Sequence, residues 1–390
     1  MSEPFLPYCR PATGELEVQA CTEAIRAGWL TTGPQTEAFE HEFAAACGVT
    51  NAVALNSCTA GLHLALIALG IGPGDEVVMP SLTFVAGAQC VLEIGAKPVF
   101  CDVEPDTFSV SVRTIAPVLT PLTKAIIAMP YAGRPLDVKD LCNLAHSLQI
   151  KVIEDAAHGS GTLDRGLWAG HHSDAAIFSF YATKNIAAGE GGMLVTQDPL
   201  LAARVRRLSL HGMSRDAWQR YTNRGSWRYD VLEPGFKYNL SDLAASVGLV
   251  QLRRLAELQG ARDRIAARYT SEFSGLPGIS LQRAADNPGD RHSWCMFPIV
   301  VDETAASVDR DTFIERMRER GIGTSVHYIP THTFSGYVGL QRAPLPNTEL
   351  LGARLLSLPL YPTMSDGEVE RVVTAVREIA IARFATSRTG

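Results

Sequence analysis

Between residues 50 and 200, short apolar runs rich in β-branched residues alternate with longer stretches whose apolar residues recur at helical spacing. The runs are AVAL (52–55), EVVMP (76–80), PVFCDV (98–103), KAIIAMP (124–130), KVIEDA (151–156), AAIFSF (175–180) and GMLVT (192–196). Short runs that are apolar throughout predict strands buried on both faces, and the helical stretches between them predict the crossovers of a parallel sheet. Two such stretches are AGLHLALIALG (60–70) and DVKDLCNLAHSLQ (137–149), the second with Asp137 in the position of an N-cap. The pattern predicts an α/β fold: a seven-stranded, mostly parallel sheet flanked by helices.

After residue 240 the texture changes. Residues 241–273 carry leucine, valine and isoleucine at helical spacing and no proline, which predicts one or two long helices. Beyond them the pattern predicts a strand at MFPIVV (296–301), a helix at 309–321, a second strand at GTSVHYI (323–329) and a terminal helix at 365–384. This is a smaller α+β unit. The expected division is a large domain over 1–245, then a linking helix and small C-terminal domain over 246–390. A chain of 390 residues accommodates two such units.

Hydrophobic residues make up 46% of the chain and charged residues 19%, the balance of a globular protein. The formal net charge of −6 offers no basic excess to attract nucleic acid or an anionic membrane. No run approaches the ~20 apolar residues of a membrane span, and MSEPFLPYCRP lacks the pattern of a signal peptide, so a cytoplasmic location is expected. The eight cysteines are scattered without a CxxC, which fits buried thiols better than disulfides or a zinc site; His171 and His172 are adjacent, but no ligand motif completes them.

The candidate chemistry begins at NSCTAGLHLAL (56–66), which follows a strand and opens a helix with small residues and a threonine. Such a helix N-terminus presents N–H groups and a hydroxyl to a phosphate, although the segment taken alone is equally an ordinary N-capped helix. GxGxxG between strand and helix is absent, which argues against a nicotinamide enzyme. Asp155 ends an apolar strand, where α/β folds place ligand-binding residues, and a carboxylate held there needs a cationic partner such as a pyridinium nitrogen. Lys184, in FSFYATKNIAAGEGG (178–192), also follows an apolar strand. Of 35 basic residues only six are lysine, so amine chemistry has few candidates. Lys97, Lys124 and Lys151 precede strands, Lys139 lies in a helix and Lys237 has no strand before it; Lys184 is the one placed to act as a nucleophile toward an aldehyde. Anion site, strand-end aspartate and strand-end lysine are what pyridoxal 5'-phosphate requires.

These segments, with PSLTFVAGA (80–88), EDAAHGSG (154–161), GFKYNLSDLAASVGLVQL (235–252) and VHYIPTH (326–332), resemble the DegT/DnrJ/EryC1/StrS sugar aminotransferases, fold type I pyridoxal phosphate enzymes. GWLTTGP (28–34), GIGTSVHY (321–328), LPNTE (345–349) and SLPLYPTMS (357–365) look most like the UDP-4-amino-4-deoxy-L-arabinose–oxoglutarate aminotransferase branch. The resemblance implies that Lys184 binds the cofactor covalently and shuttles a proton. It implies that Asp155 pairs with the ring nitrogen, His158 lies near the phenolic oxygen and Phe84 stacks on the ring. Cys58, Thr59 and Ser179 would hold the phosphate, joined by Asn239 from the second subunit of a homodimer with shared sites. Cys58 stands where glycine or alanine is usual, His158 where many members have glutamine, Tyr181 where many have histidine, and Phe84 where the closest branch often has tryptophan.

For the nucleotide-sugar substrate the implied residues are Tyr8, Trp29 and Thr31 from the N-terminal loop and His327 and Tyr328 from the small domain. Arg204, Arg206, Arg207, Arg215, Arg220, Arg224 and Arg228 form a basic stretch that would meet a diphosphate or else be a solvated face. The implied reaction moves the amino group of L-glutamate, leaving 2-oxoglutarate, onto a keto carbon, C4, of a nucleotide-activated sugar. A keto-cyclitol aminotransferase and a non-catalytic pyridoxal phosphate sensor are the alternatives.

Overall fold

The computed structural model describes residues 4–214, 229–285, 287–340 and 343–381. All seven expected runs enter one sheet: β1 Asn51–Leu55, β2 Glu76–Pro80, β3 Lys97–Cys101, β4 Thr123–Ala128, β5 Lys151–Asp155, β6 Ala175–Ser179 and β7 Gly192–Thr196, in the order β1-β7-β6-β5-β4-β2-β3. Only β7 runs against its neighbours β1 and β6; the other pairs are parallel.

The apolar runs are continuous because both faces are covered. Successive side chains point to opposite faces. Val77, Met79, Ile127, Ile153 and Ile177 pack under the helices Cys58–Ala68, Ala86–Glu93 and Pro199–Leu208. Val78, Ile126 and Val152 face the helix Val138–Ser147, and Ala176 and Phe178 face Pro34–Cys47 and Asp242–Arg253. Asp137 precedes Val138–Ser147 but makes no capping hydrogen bond; its carboxylate pairs with Arg165 instead.

A second sheet of β8 Ile279–Leu281, β9 Phe297–Val301 and β10 Leu355–Leu358, antiparallel in the order β10-β9-β8, carries the helices Arg310–Glu319 and Asp366–Ile381. The strand expected at 323–329 does not form. Residues 323–328 are half-buried, and the segment makes only isolated bridges, Ser325 to Ser357 within it and Ile322 to Leu6 just before it. The proline-free stretch forms two helices, Asp242–Arg253 and Leu255–Phe273. The boundary expected at 245 falls inside the first of these. Ala245, Leu249 and Leu252 pack with the large sheet, and the change of core comes along the second helix, where Leu255 belongs to the first core and Ile265, Tyr269 and Phe273 to the second. Among the described residues no helix is long and apolar enough to cross a membrane.

Two N-terminal helices, Glu15–Arg26 and Pro34–Cys47, are held by buried polar contacts. Glu17 accepts from Gly14 N (2.7 Å), Gln251 Nε2 (2.7 Å) and Arg254 Nη1 (2.8 Å). Asp242, 1% exposed, caps Pro34–Cys47 from a distance, accepting from Gly33 N (2.7 Å), Gln35 N (3.1 Å), Thr36 N (3.0 Å) and Thr36 Oγ1 (2.6 Å). Removing a shared acceptor strands buried donors at about 1–3 kcal/mol each. Asp242→Ala is therefore expected to cost about 3 kcal/mol, read as a lower urea midpoint with an unchanged m-value.

Candidate active site

The C-terminal ends of β5 and β6, the turn after β1 and the segment 327–328 surround a cleft of about 370 Å³, within the range of small-molecule sites. Nine of the residues expected at the site line it: Cys58, Thr59, Phe84, Asp155, His158, Ser179, Lys184, His327 and Tyr328.

One wall is the N-terminus of helix Cys58–Ala68. Ser57 caps it, its Oγ accepting from Ala60 N at 3.0 Å, and the N–H groups of Cys58 and Thr59 have no intrahelical partner, as at any helix start. The turn comes down onto the sheet because β7 begins with Gly192, where a Cβ would lie 2.5 Å from Ser57 C and 2.6 Å from Cys58 N. Gly61 has the same use: a Cβ there would sit 2.5 Å from Ile177 Cγ2. Two donors at the positive end of the dipole, beside Ser179 at the end of β6, fit a phosphate.

Asp155, 6% exposed, forms the floor. Its Oδ1 accepts from Ala157 N at 3.2 Å and lies 3.7 Å from Cys58 Sγ. Burial raises its carboxyl above the ordinary range, against the opposing pull of the Ala157 N–H and the nearby Lys184. A buried carboxylate so thinly compensated is suited to a cationic ring nitrogen. Lys184 follows β6 in a turn closed by its own N–H to Tyr181 O (2.9 Å). Its neighbour Asn185 is buried, with Nδ2 donating to Ser293 O (2.7 Å), Gln259 Oε1 (3.2 Å) and Ser160 O (3.3 Å), which fixes the base of the lysine. The other five lysines are exposed; Lys184 alone is half-buried. Carboxylate, amine and helix N-terminus together fit pyridoxal phosphate.

The opposite wall carries aromatic groups. His158 Nε2 is 2.9 Å from the Tyr328 hydroxyl, and the two rings are parallel within 5° at 6.0 Å. Burial, then the neighbouring Lys184 and His327, hold the His158 imidazole well below its usual pKa. His327 is likewise pushed down to about 3 by burial and by Lys184; its Nδ1 contacts Ser357 Oγ at 2.9 Å and its carbonyl accepts from the Tyr131 hydroxyl. Phe84 is 58% exposed at the mouth, its ring 6.2 Å from that of Tyr328.

Four expected residues are not brought into the cleft of this chain. Tyr8 lies behind it, its ring 5.4 Å from His327. Trp29 and Thr31 sit in the loop before Pro34–Cys47, the indole donating to Thr32 O at 2.8 Å and Thr31 O accepting from Asp242 N. Asn239 lies beside the end of β1, its Nδ2 donating to Thr32 Oγ1 at 2.6 Å. The basic stretch is committed elsewhere: Arg204 and Arg207 pair with Glu233, and Arg206 with Glu40. Arg215, Arg220, Arg224 and Arg228 lie outside the described residues. Met129, Thr183 and Glu190 line the cleft unforeseen; Thr183 and Glu190 stand within the lysine segment, whereas Met129 follows β4 with no polar signal.

Residues 11–377 match the DegT/DnrJ/EryC1/StrS aminotransferase family. The chain is 46% identical over 379 residues to the spore coat polysaccharide biosynthesis protein SpsC of Bacillus subtilis (strain 168), covering 96% of this chain and 97% of that one. The PLP form of Spr1654 from Streptococcus pneumoniae superposes with a TM-score of 0.89 at 29% identity, over 97% of this chain and 99% of that one. DesI, solved in the presence of its TDP-sugar product, matches with a TM-score of 0.87 at 32% identity, over 100% of this chain and 96% of that one. The chain thus belongs to the DegT/DnrJ/EryC1/StrS aminotransferase family and is a pyridoxal-phosphate-dependent aminotransferase of fold type I.

Proposed function

We propose that this enzyme transfers the amino group of L-glutamate to the C4 keto carbon of a nucleotide-activated sugar, in amino-sugar biosynthesis in the cytoplasm. The observation that carries the reading is the convergence of Lys184, Asp155 and the helix N-terminus at Cys58 on one cleft. A relative named for polysaccharide biosynthesis and a structural neighbour solved with its TDP-sugar product support the substrate class.

When bound, pyridoxal phosphate supplies an aldehyde for amines and a ring that withdraws electrons. In this reading Asp155 holds the ring nitrogen protonated, and the Cys58 and Thr59 N–H groups with Ser179 bind the phosphate. Lys184 Nζ removes the proton from the carbon bearing the donor's amino group and returns one to the acceptor carbon, a general base and then a general acid. Phe84 covers the ring. His327, held neutral by burial and by Lys184, adds no fixed positive charge to the cleft. Tyr8, Trp29, Thr31, His327 and Tyr328 are the proposed sugar-binding set. A homodimer would bring the Trp29 loop and Asn239 to a partner's cleft, since neither reaches the cleft of its own chain.

The test is product mass. Holoenzyme given L-glutamate and a panel of UDP-4-keto sugars, dTDP-4-keto sugars and keto-cyclitols is expected to gain amine only on a nucleotide sugar. Amination of the cyclitol alone would replace the substrate assignment, and failure of glutamate to bleach the cofactor absorbance would remove it as donor.

A further inference from the structure

We infer that Tyr328 is a positioning residue acting through His158: its hydroxyl fixes the imidazole as the tautomer protonated on Nδ1, and that N–H is the donor offered to the cofactor's ring oxygen. The inference rests on the reading of the cleft as the pyridoxal phosphate site.

Three observations carry it. His158 is 1% exposed and its Nδ1 is buried without a partner, although buried polar atoms are almost always satisfied. An orphan nitrogen on a residue lining the cleft calls for a ligand atom. Second, Nε2 is occupied by the Tyr328 hydroxyl at 2.9 Å, with the rings parallel, so the pair shares one hydrogen bond. Among the described residues the Tyr328 hydroxyl has no other acceptor for its proton, so it donates to Nε2 and the single proton of a neutral imidazole lies on Nδ1. Third, the backbone leading into Tyr328 is held from both sheets: the Tyr131 hydroxyl, just after β4, donates to the carbonyl of His327, and His327 Nδ1 meets Ser357 Oγ of β10.

The charged and titratable groups around His158 agree. Lys184 and His327 both disfavour an imidazolium, and Tyr131 presents its ring edge-on at 6.4 Å. Asp155 lies three residues back, across the cleft floor. A neutral imidazole presents either a donor or an acceptor at Nδ1 according to its tautomer, so a neighbour has to choose the tautomer. Tyr328 makes that choice.

The experiment is a pH titration of the visible absorbance of bound cofactor in holoenzyme. A donor on the ring oxygen favours its anionic form and lowers the midpoint; Tyr328→Phe, which frees the tautomer, is expected to raise it by about one pH unit. Adding Tyr328→Phe to His158→Gln is expected to leave the midpoint of that variant where it is, since the tyrosine acts through the histidine. A Tyr328→Phe holoenzyme with an unmoved midpoint overturns the inference, as does an equal shift in the His158→Gln background. A native protein with no cofactor absorbance overturns the cofactor reading itself, which is a different result.

Discussion

Lys184→Ala is expected to lower kcat for amino transfer by at least about 10³-fold, the scale of a lost general acid and base, while the fold persists. The lysine stands in a turn fixed on both sides, by its own N–H to Tyr181 and by the buried amide of Asn185, so truncation removes the amine without releasing the loop. No second lysine can substitute. Lys237 is exposed with its amine on Asn239, and Lys151 is exposed on Asp174 at the other end of β5. The measurement has two arms. Borohydride reduction of the holoenzyme followed by peptide mass mapping is expected to place the cofactor on the peptide containing residue 184 and on none in the variant. Steady-state kinetics then give the loss. A variant turning over at the native rate would remove Lys184 from the chemistry altogether.

How far such a site is legible in the amino acids depends on the range of the contacts that build it. The seven strands were legible because each is a run buried on both faces, a property of five or six consecutive residues. Lys184 and Asp155 were legible because each stands just past or at the end of such a run. The N-terminal helices left a weaker trace: Glu15–Arg26 buries Glu17 and Ala24 rather than an apolar stripe, because its anchor is a hydrogen-bonded carboxylate. β8 and β10 span three and four residues and exist through pairing with β9, so no local period marks them. The strand expected at 323–329 failed for the converse reason: Thr324, Val326 and Tyr328 have strand propensity but lie half-buried where only isolated bridges form.

The same logic separates the cleft into its two walls. The cofactor wall comes from local turns after β1, β5 and β6. The aromatic wall depends on long-range contacts such as His158 with Tyr328, 170 residues apart. Motif order pointed to these residues through family resemblance; nothing in their immediate neighbours could say that Tyr328 bonds His158, or that Asn239 and Trp29 stay out of their own chain's cleft.

Asp155→Asn is expected to lower kcat by about 10²- to 10³-fold, with a weaker hold on the cofactor, although the side chain keeps its size. The carboxylate ends β5 inside the protein, where its charge is disfavoured by burial and only partly offset by the Ala157 N–H, Lys184 and the Cys58 thiol. A charge kept at such a cost has its largest effect when a cation arrives, because attraction in a water-poor site is screened little. The amide can still meet a ring nitrogen as an acceptor, but it cannot favour the protonated ring. The loss is therefore expected in kcat more than in the KM for L-glutamate, and in cofactor affinity measured by equilibrium dialysis of the apoenzyme. Asp155→Ala, which also leaves a void beneath the ring, should weaken cofactor binding further. Native kcat in Asp155→Asn would show that the ring nitrogen is not where this carboxylate acts.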